Sequence, residues 1–83
     1  MEKGKRIAVI GIAVSNREES AEKVNEILSD FGGIIVGRMG IPYKDRSISV
    51  ISVIADGTND EIGALTGRLG NINDVKAKVT LIA

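Results

Sequence analysis

Residues 6–14 (RIAVIGIAV) are apolar at almost every position. A strand covered on both faces has no reason to alternate, so this run predicts a central β-strand. Gly11 interrupts it and marks a place where another backbone could come close. The period then changes. Ala21, Val24, Leu28 and Phe31, with Ile27 beside them, fall on one face of a helix. Ser15 and Asn16 are both good N-cap residues, and each has a glutamate three places on (Glu18, Glu19), so a capping box is available in either register. Those glutamates also suit the positive end of the helix dipole. Gly32 fits the left-handed position that ends such a helix.

Residues 33–41 (GIIVGRMGI) read as a second strand, weakened by Gly37 and Gly40. Pro42 cannot donate to a ladder, so it stops this strand or confines it to an edge. A polar turn at residues 43–46 leads to a third strand at 47–56 (SISVISVIAD), whose two faces are both partly apolar. Asp56-Gly57 predicts a turn. Thr58 and Glu61 form a capping box, and Ile62, Leu65, Leu69 and Ile72 follow on one face of a second helix. Asn71-Ile72-Asn73-Asp74 ends that helix. Val75, Ala77, Val79 and Leu81 then alternate with Lys76, Lys78 and Thr80, as in a strand with one wet face.

The order β-α-β-β-α-β is the α+β, ferredoxin-like pattern: a four-stranded antiparallel sheet with two helices on one face. The first and third strands are expected at the centre, and the second and fourth at the edges. The face without helices is expected to carry Ile51 and Val53 beside one side of the first strand. Bare, it would be an apolar patch that monomers usually avoid. A second copy covering it, in a homodimer or homotetramer, is the expectation.

Composition narrows the function classes. At 83 residues the chain is expected to form one domain over 1–83. A domain of this size buries only about 60–65% of the surface its unfolded chain exposes, so self-association would help it. Phe31 and Tyr43 are the only aromatic residues, which leaves nucleic-acid bases little to stack on. Eleven basic residues balance eleven acidic ones, so neither nucleic acid nor an anionic membrane is an expected partner. The start Met1-Glu2-Lys3-Gly4-Lys5-Arg6 is charged, and the apolar run 7–14 is too short to span a bilayer. No signal peptide is visible, and a cytoplasmic protein is expected.

The chain has no Cys and no His. That removes disulfides, thiolate metal sites, the commonest general base and the commonest transition-metal ligand. Serines at positions 15, 20, 29, 47, 49 and 52 have no imidazole to activate them. The acids Asp56, Asp60 and Glu61 do not have calcium-loop spacing and read as a helix N-terminus. No catalytic residue, metal or cofactor is expected.

Two features hold more interest. Gly63, Gly67 and Gly70 form a stripe beside the apolar face of the second helix. Glycine inside a helix costs roughly 1 kcal/mol relative to alanine. Close packing, within the chain or against a partner, and backbone approach to a ligand are the two readings of that cost. The second feature is the passage from the first strand into the first helix. Backbone N–H groups at Ser15, Asn16 and Arg17 either cap themselves or hold an anionic group. Arg38, between Gly37 and Gly40 on an edge strand, either grips an effector carboxylate, pairs with an acid of a neighbouring subunit, or stands in water.

The run Arg38-x-Gly40-Ile41-Pro42 and the later run Asn59-Asp60-x-Ile62-Gly63-Ala64-Leu65-Thr66-Gly67-Arg68-Leu69-Gly70-x-Ile72-x-x-Val75 resemble the family described as iron-only hydrogenase system regulators. Asn25-Glu26-Ile27-Leu28 adds to the likeness. The resemblance implies an ACT-like domain, related in structure to the C-terminal domain of nickel-responsive regulators. It also implies self-association through extended sheets and effector binding at subunit interfaces near the first strand–helix loop. On that basis Ser15, Asn16, Arg17, Arg38 and Gly40 are the candidate effector residues. A purely structural module, docking on a protein partner with no small ligand, is the alternative. The nickel ligands of those regulators are His and Cys, which this chain lacks, so the resemblance does not extend to that metal.

Overall fold

Strand β1 (Lys5–Ser15) lies inside the sheet and sets the register of everything else. The computed structural model describes residues 4–83; the charged start Met1-Glu2-Lys3, weighed above for targeting, lies outside them. After β1 come α1 (Glu18–Asp30), β2 (Ile35–Tyr43), a single 3₁₀ turn (Lys44–Arg46), β3 (Ile48–Thr58), α2 (Asn59–Gly70) and β4 (Val75–Leu81). The strand order is β2-β3-β1-β4 and every pairing is antiparallel. This is the ferredoxin-like fold, with the two doubly apolar strands at the centre.

The core lies between the sheet and the two helices. Ile10, Ile12 and Val14 of β1 pack there with Val24, Ile27 and Leu28 of α1 and with Leu65 and Leu69 of α2. Fully burying one such leucine stabilises the fold by about 1.5–3 kcal/mol. The α2 start forms as its sequence dictates. Thr58 Oγ1 accepts the Glu61 N–H at 3.1 Å, and the Glu61 carboxylate accepts the Thr58 N–H at 2.8 Å. The Thr58 N–H above all, and the Thr58 hydroxyl after it, hold the Glu61 carboxyl below its usual range.

The face assignment of β3 reverses the sequence expectation. Ile10 lies directly opposite Val53, and Ile12 opposite Ile51, and directly opposed residues share a face. Val53 is therefore 0% exposed in the core, and Ile51 packs against it. The bare face carries Val50 and Ile54 instead, with Met39, Ile41 and Tyr43 of β2 beside them, all exposed. Both faces of β3 are apolar in sequence, so only pairing to β1 decides which is covered, and a shift of one residue exchanges them.

The strand ends also differ. β1 continues through Ser15, which pairs with Ile48, so α1 starts at Glu18 with Arg17 as N-cap and no side-chain capping bond. Neither Ser15 nor Asn16 caps it. Their N–H groups bond instead to the carbonyls of Asp74 and Ser47, at 3.1 and 3.2 Å. Phe31 ends α1 at φ −100°, and Gly32 is not left-handed: its N–H turns back to Ser29 O at 3.0 Å. Asp56-Gly57 is not a turn. Both residues pair with β1, and β3 runs straight into the α2 cap. Glycine at 57 has a packing reason, since a Cβ there would lie 3.3 Å from Ile34 Cγ2 and 3.2 Å from Glu61 Oε1. Pro42 lies within the edge strand β2, the kind of strand to which a residue without an N–H is confined.

Candidate functional site

A cleft of about 390 Å³ opens between the end of β1, the inner flank of α1 and the edge strand β2. Its floor is apolar, from Val14, Val24 and Ile51. Its rim is neutral and polar, from Ser15, Asn16, Asn25 and Ser49. Gly40 and Pro42 form the β2 wall. The local sequence explains the gap. Gly40 has no side chain to fill the space above Ile51, where a Cβ would lie 3.6 Å from Ile51 Cγ1.

The sequence-predicted effector residues are only partly gathered. Ser15, Asn16 and Gly40 line the cleft. Arg38 stands on the same side of β2, opposite Val53, and its Nη2 donates to Asn25 Oδ1 at 3.0 Å. Within the chain its partner is thus an amide of α1. Arg17 does not join the group. Its Nη1 lies 3.2 Å from Asp74 Oδ2, and it borders a separate small cleft with Ser20 and Lys23. Arg17 follows the strand that now includes Ser15, and this turns it toward the α2–β4 connection.

Asn25 is the cleft residue that periodicity alone passes over. It sits beside the buried Val24 on α1, and a single amide on a helix flank carries no periodic signal. Arg38 is a cation tied to this rim, and Asn25 accepts from it without neutralising it. Glu61, with its lowered pKa, stands at the opposite end of β3.

The glycine stripe makes no close contact inside the chain. A Cβ on Gly63, Gly67 or Gly70 would meet nothing within 4 Å. The packing between helices runs along the other flank of α2. There Arg68 Nη2 reaches Asp30 Oδ2 at 3.1 Å, and its guanidinium lies 5.5 Å from the centre of the Phe31 ring. No helix among the described residues is long and apolar enough to cross a membrane.

No curated protein matches the chain. The solved structure of the uncharacterized protein TM1266 from Thermotoga maritima is similar at 35% identity and a TM-score of 0.93, over 95% of this chain and 99% of that one. The C-terminal domain of the MgtC protein from Mycobacterium tuberculosis shares the fold at 10% identity and a TM-score of 0.73, over 99% of this chain and 93% of that one. A formyltetrahydrofolate deformylase from Pseudomonas putida KT2440 shares it at 10% identity and a TM-score of 0.63, over 89% of this chain but 28% of its own. Residues 6–79 match the family model described as "Iron-only hydrogenase system regulator, putative". With that match and the 35% identity to TM1266 over nearly the whole of both chains, the protein belongs to the TM1266-like family.

Proposed function

We propose that the protein is a non-catalytic regulatory domain that senses a small molecule in the cleft between α1 and β2 and works as a homo-oligomer. The cleft itself carries this reading: an apolar floor under a rim of neutral amides and hydroxyls, with Arg38 tied to that rim through Asn25. Such a lining suits a small ligand with an apolar body and a few polar groups. The family adds the biological setting, regulation connected with an iron-only hydrogenase system. The absence of catalysis rests on the sequence, which has neither His nor Cys to activate a nucleophile.

Self-association has its own support. Met39, Ile41, Val50 and Ile54 are all exposed on the helix-free face, with Met39 at 63% and Ile41 at 53%. A contiguous patch of this kind marks an interaction surface. The same patch favours the second reading, a module that docks through its sheet on a protein partner and needs no small ligand.

A thermal-shift screen of amino acids, nucleotides and divalent metals tests the sensing role. A ligand that binds only the folded state raises Tm, and the rise should shrink in Arg38→Ala. A flat screen with wild-type protein rejects sensing and leaves the docking module.

A further inference from the structure

A second cleft, of about 440 Å³, lies at the end of the sheet where β1 stops and β3 and β4 begin. Its apolar seat is Ala13, Ile48 and Val75, and Ser15, Arg46 and Lys76 surround it. Among the described residues, neither the Arg46 nor the Lys76 side chain makes an ion pair or hydrogen bond. The acid at this cleft, Asp74, is already matched by Arg17 at 3.2 Å. Two positive charges are therefore left without a counterpart around one depression, on a chain that is neutral overall. Ser15 Oγ accepts the Arg17 N–H at 3.5 Å, which leaves its own hydroxyl proton free to donate into the cleft.

The cations are held at this end by rigid chain. Arg46 precedes Ser47, and Lys76 follows Asp74 by two residues. Ser47 and Asp74 are the non-glycine residues with positive φ among those described, at 53° and 66°. Their carbonyls accept the N–H groups of Asn16 and Ser15, so both turns are pinned to the end of β1. Left-handed backbone at non-glycine positions is costly and persists where the surroundings over-determine it. A binding group carried on a backbone fixed in advance loses less entropy when a ligand arrives.

We propose that this cleft binds a small organic dianion of the phosphate-monoester type. Its head would lie between Arg46 and Lys76 and accept from Ser15, and its apolar body would rest on Ile48, Ala13 and Val75. Two cations balance a dianion, and guanidinium and ammonium groups both donate charge-assisted bonds to phosphate oxygens. The site is distinct from the α1–β2 cleft, although Ser15 borders both.

Phenyl phosphate is a suitable probe, titrated into the ¹⁵N-labelled full chain at constant ionic strength. Saturable amide shifts centred on Ser15, Ile48 and Lys76 are expected, with Asn25 and Gly40 unmoved. Arg46→Ala and Lys76→Ala are both exposed changes, and each should weaken binding about tenfold, the worth of one hydrogen bond to a charged group. Benzoate, with the same ring and one charge fewer, should bind about tenfold more weakly, for the same reason. A non-saturating drift, equal affinity in either variant, or equal affinity for benzoate would each overturn the proposal. Shifts centred on Asn25 and Gly40 would also overturn it, while supporting the α1–β2 cleft as the sensing site.

Discussion

Arg38 Nη2 and Asn25 Oδ1 lie 3.0 Å apart and tie the edge strand β2 to helix α1 beside the cleft. Both side chains are exposed, so their bond contributes little to stability, roughly 1 kcal/mol or less. Its value is positional, since it fixes a cation beside the rim. Arg38→Ala should therefore leave the urea midpoint almost unchanged and reduce the thermal shift given by any effector found in the screen. Unchanged effector binding by calorimetry would remove Arg38 from the site.

The helix-free face can be separated from the core by two neighbouring substitutions on β3. Val53 is fully buried under the helices, while Ile54 is exposed on the other side. Val53→Asp places an unpaired carboxylate in the core and should prevent folding. Ile54→Asp should leave the circular dichroism spectrum intact and shift light scattering toward the monomer. A wild-type protein that is already a monomer at tens of micromolar would reject the oligomer.

The glycine stripe of α2 gives a prediction of opposite sign. A Cβ at Gly63 or Gly67 meets nothing within the chain. Alanine at either position should then raise stability by about 0.5–1 kcal/mol, because a helix interior prefers it. If the pair of substitutions instead dissociates an oligomer or abolishes recovery of a protein partner, the stripe is an intermolecular contact. If neither changes, close packing is not the reason for the glycines.

The α2 cap sets a pH dependence. Thr58 donates its N–H to Glu61 and so holds the Glu61 carboxyl below its unfolded value. Ionised Glu61 thus stabilises the fold above the ordinary carboxylate range, and that contribution is lost as pH falls through its lowered folded-state value. An NMR titration should give Glu61 a midpoint below the ordinary glutamate value, with the Thr58 amide following the same curve. Thr58→Ala should cost about 1 kcal/mol in urea unfolding and return the Glu61 midpoint toward normal.

Arg68 joins the helices through Asp30 and the face of Phe31, both near the surface. Arg68→Ala should cost less than about 1 kcal/mol, and part of that cost should disappear in high salt.

Much of this was legible in the chain itself. The doubly apolar runs of β1 and β3 set them at the centre of the sheet, and the lysines of β4 and Pro42 of β2 set those strands at the edges, because burial on two faces, on one face or at an unpaired edge each demands a different pattern. The Thr58–Glu61 box was equally readable, since a cap is a contact between residues three apart. The same locality is why Ser15 and Asn16 could be read as the passage from the first strand into the first helix. What only the tertiary structure decided depends on pairing between distant segments. The register of β1 against β3 put Val53 in the core and Val50 and Ile54 outside, where composition left both faces equal. The same pairing carried β1 on to Ser15, moved the α1 cap to Arg17, and sent that arginine to Asp74, far along the chain. The packing of α1 beside β2 brought Asn25 to Arg38, and the pairing of β3 and β4 with β1 brought Arg46 and Lys76 to one cleft, meetings that no local spacing encodes.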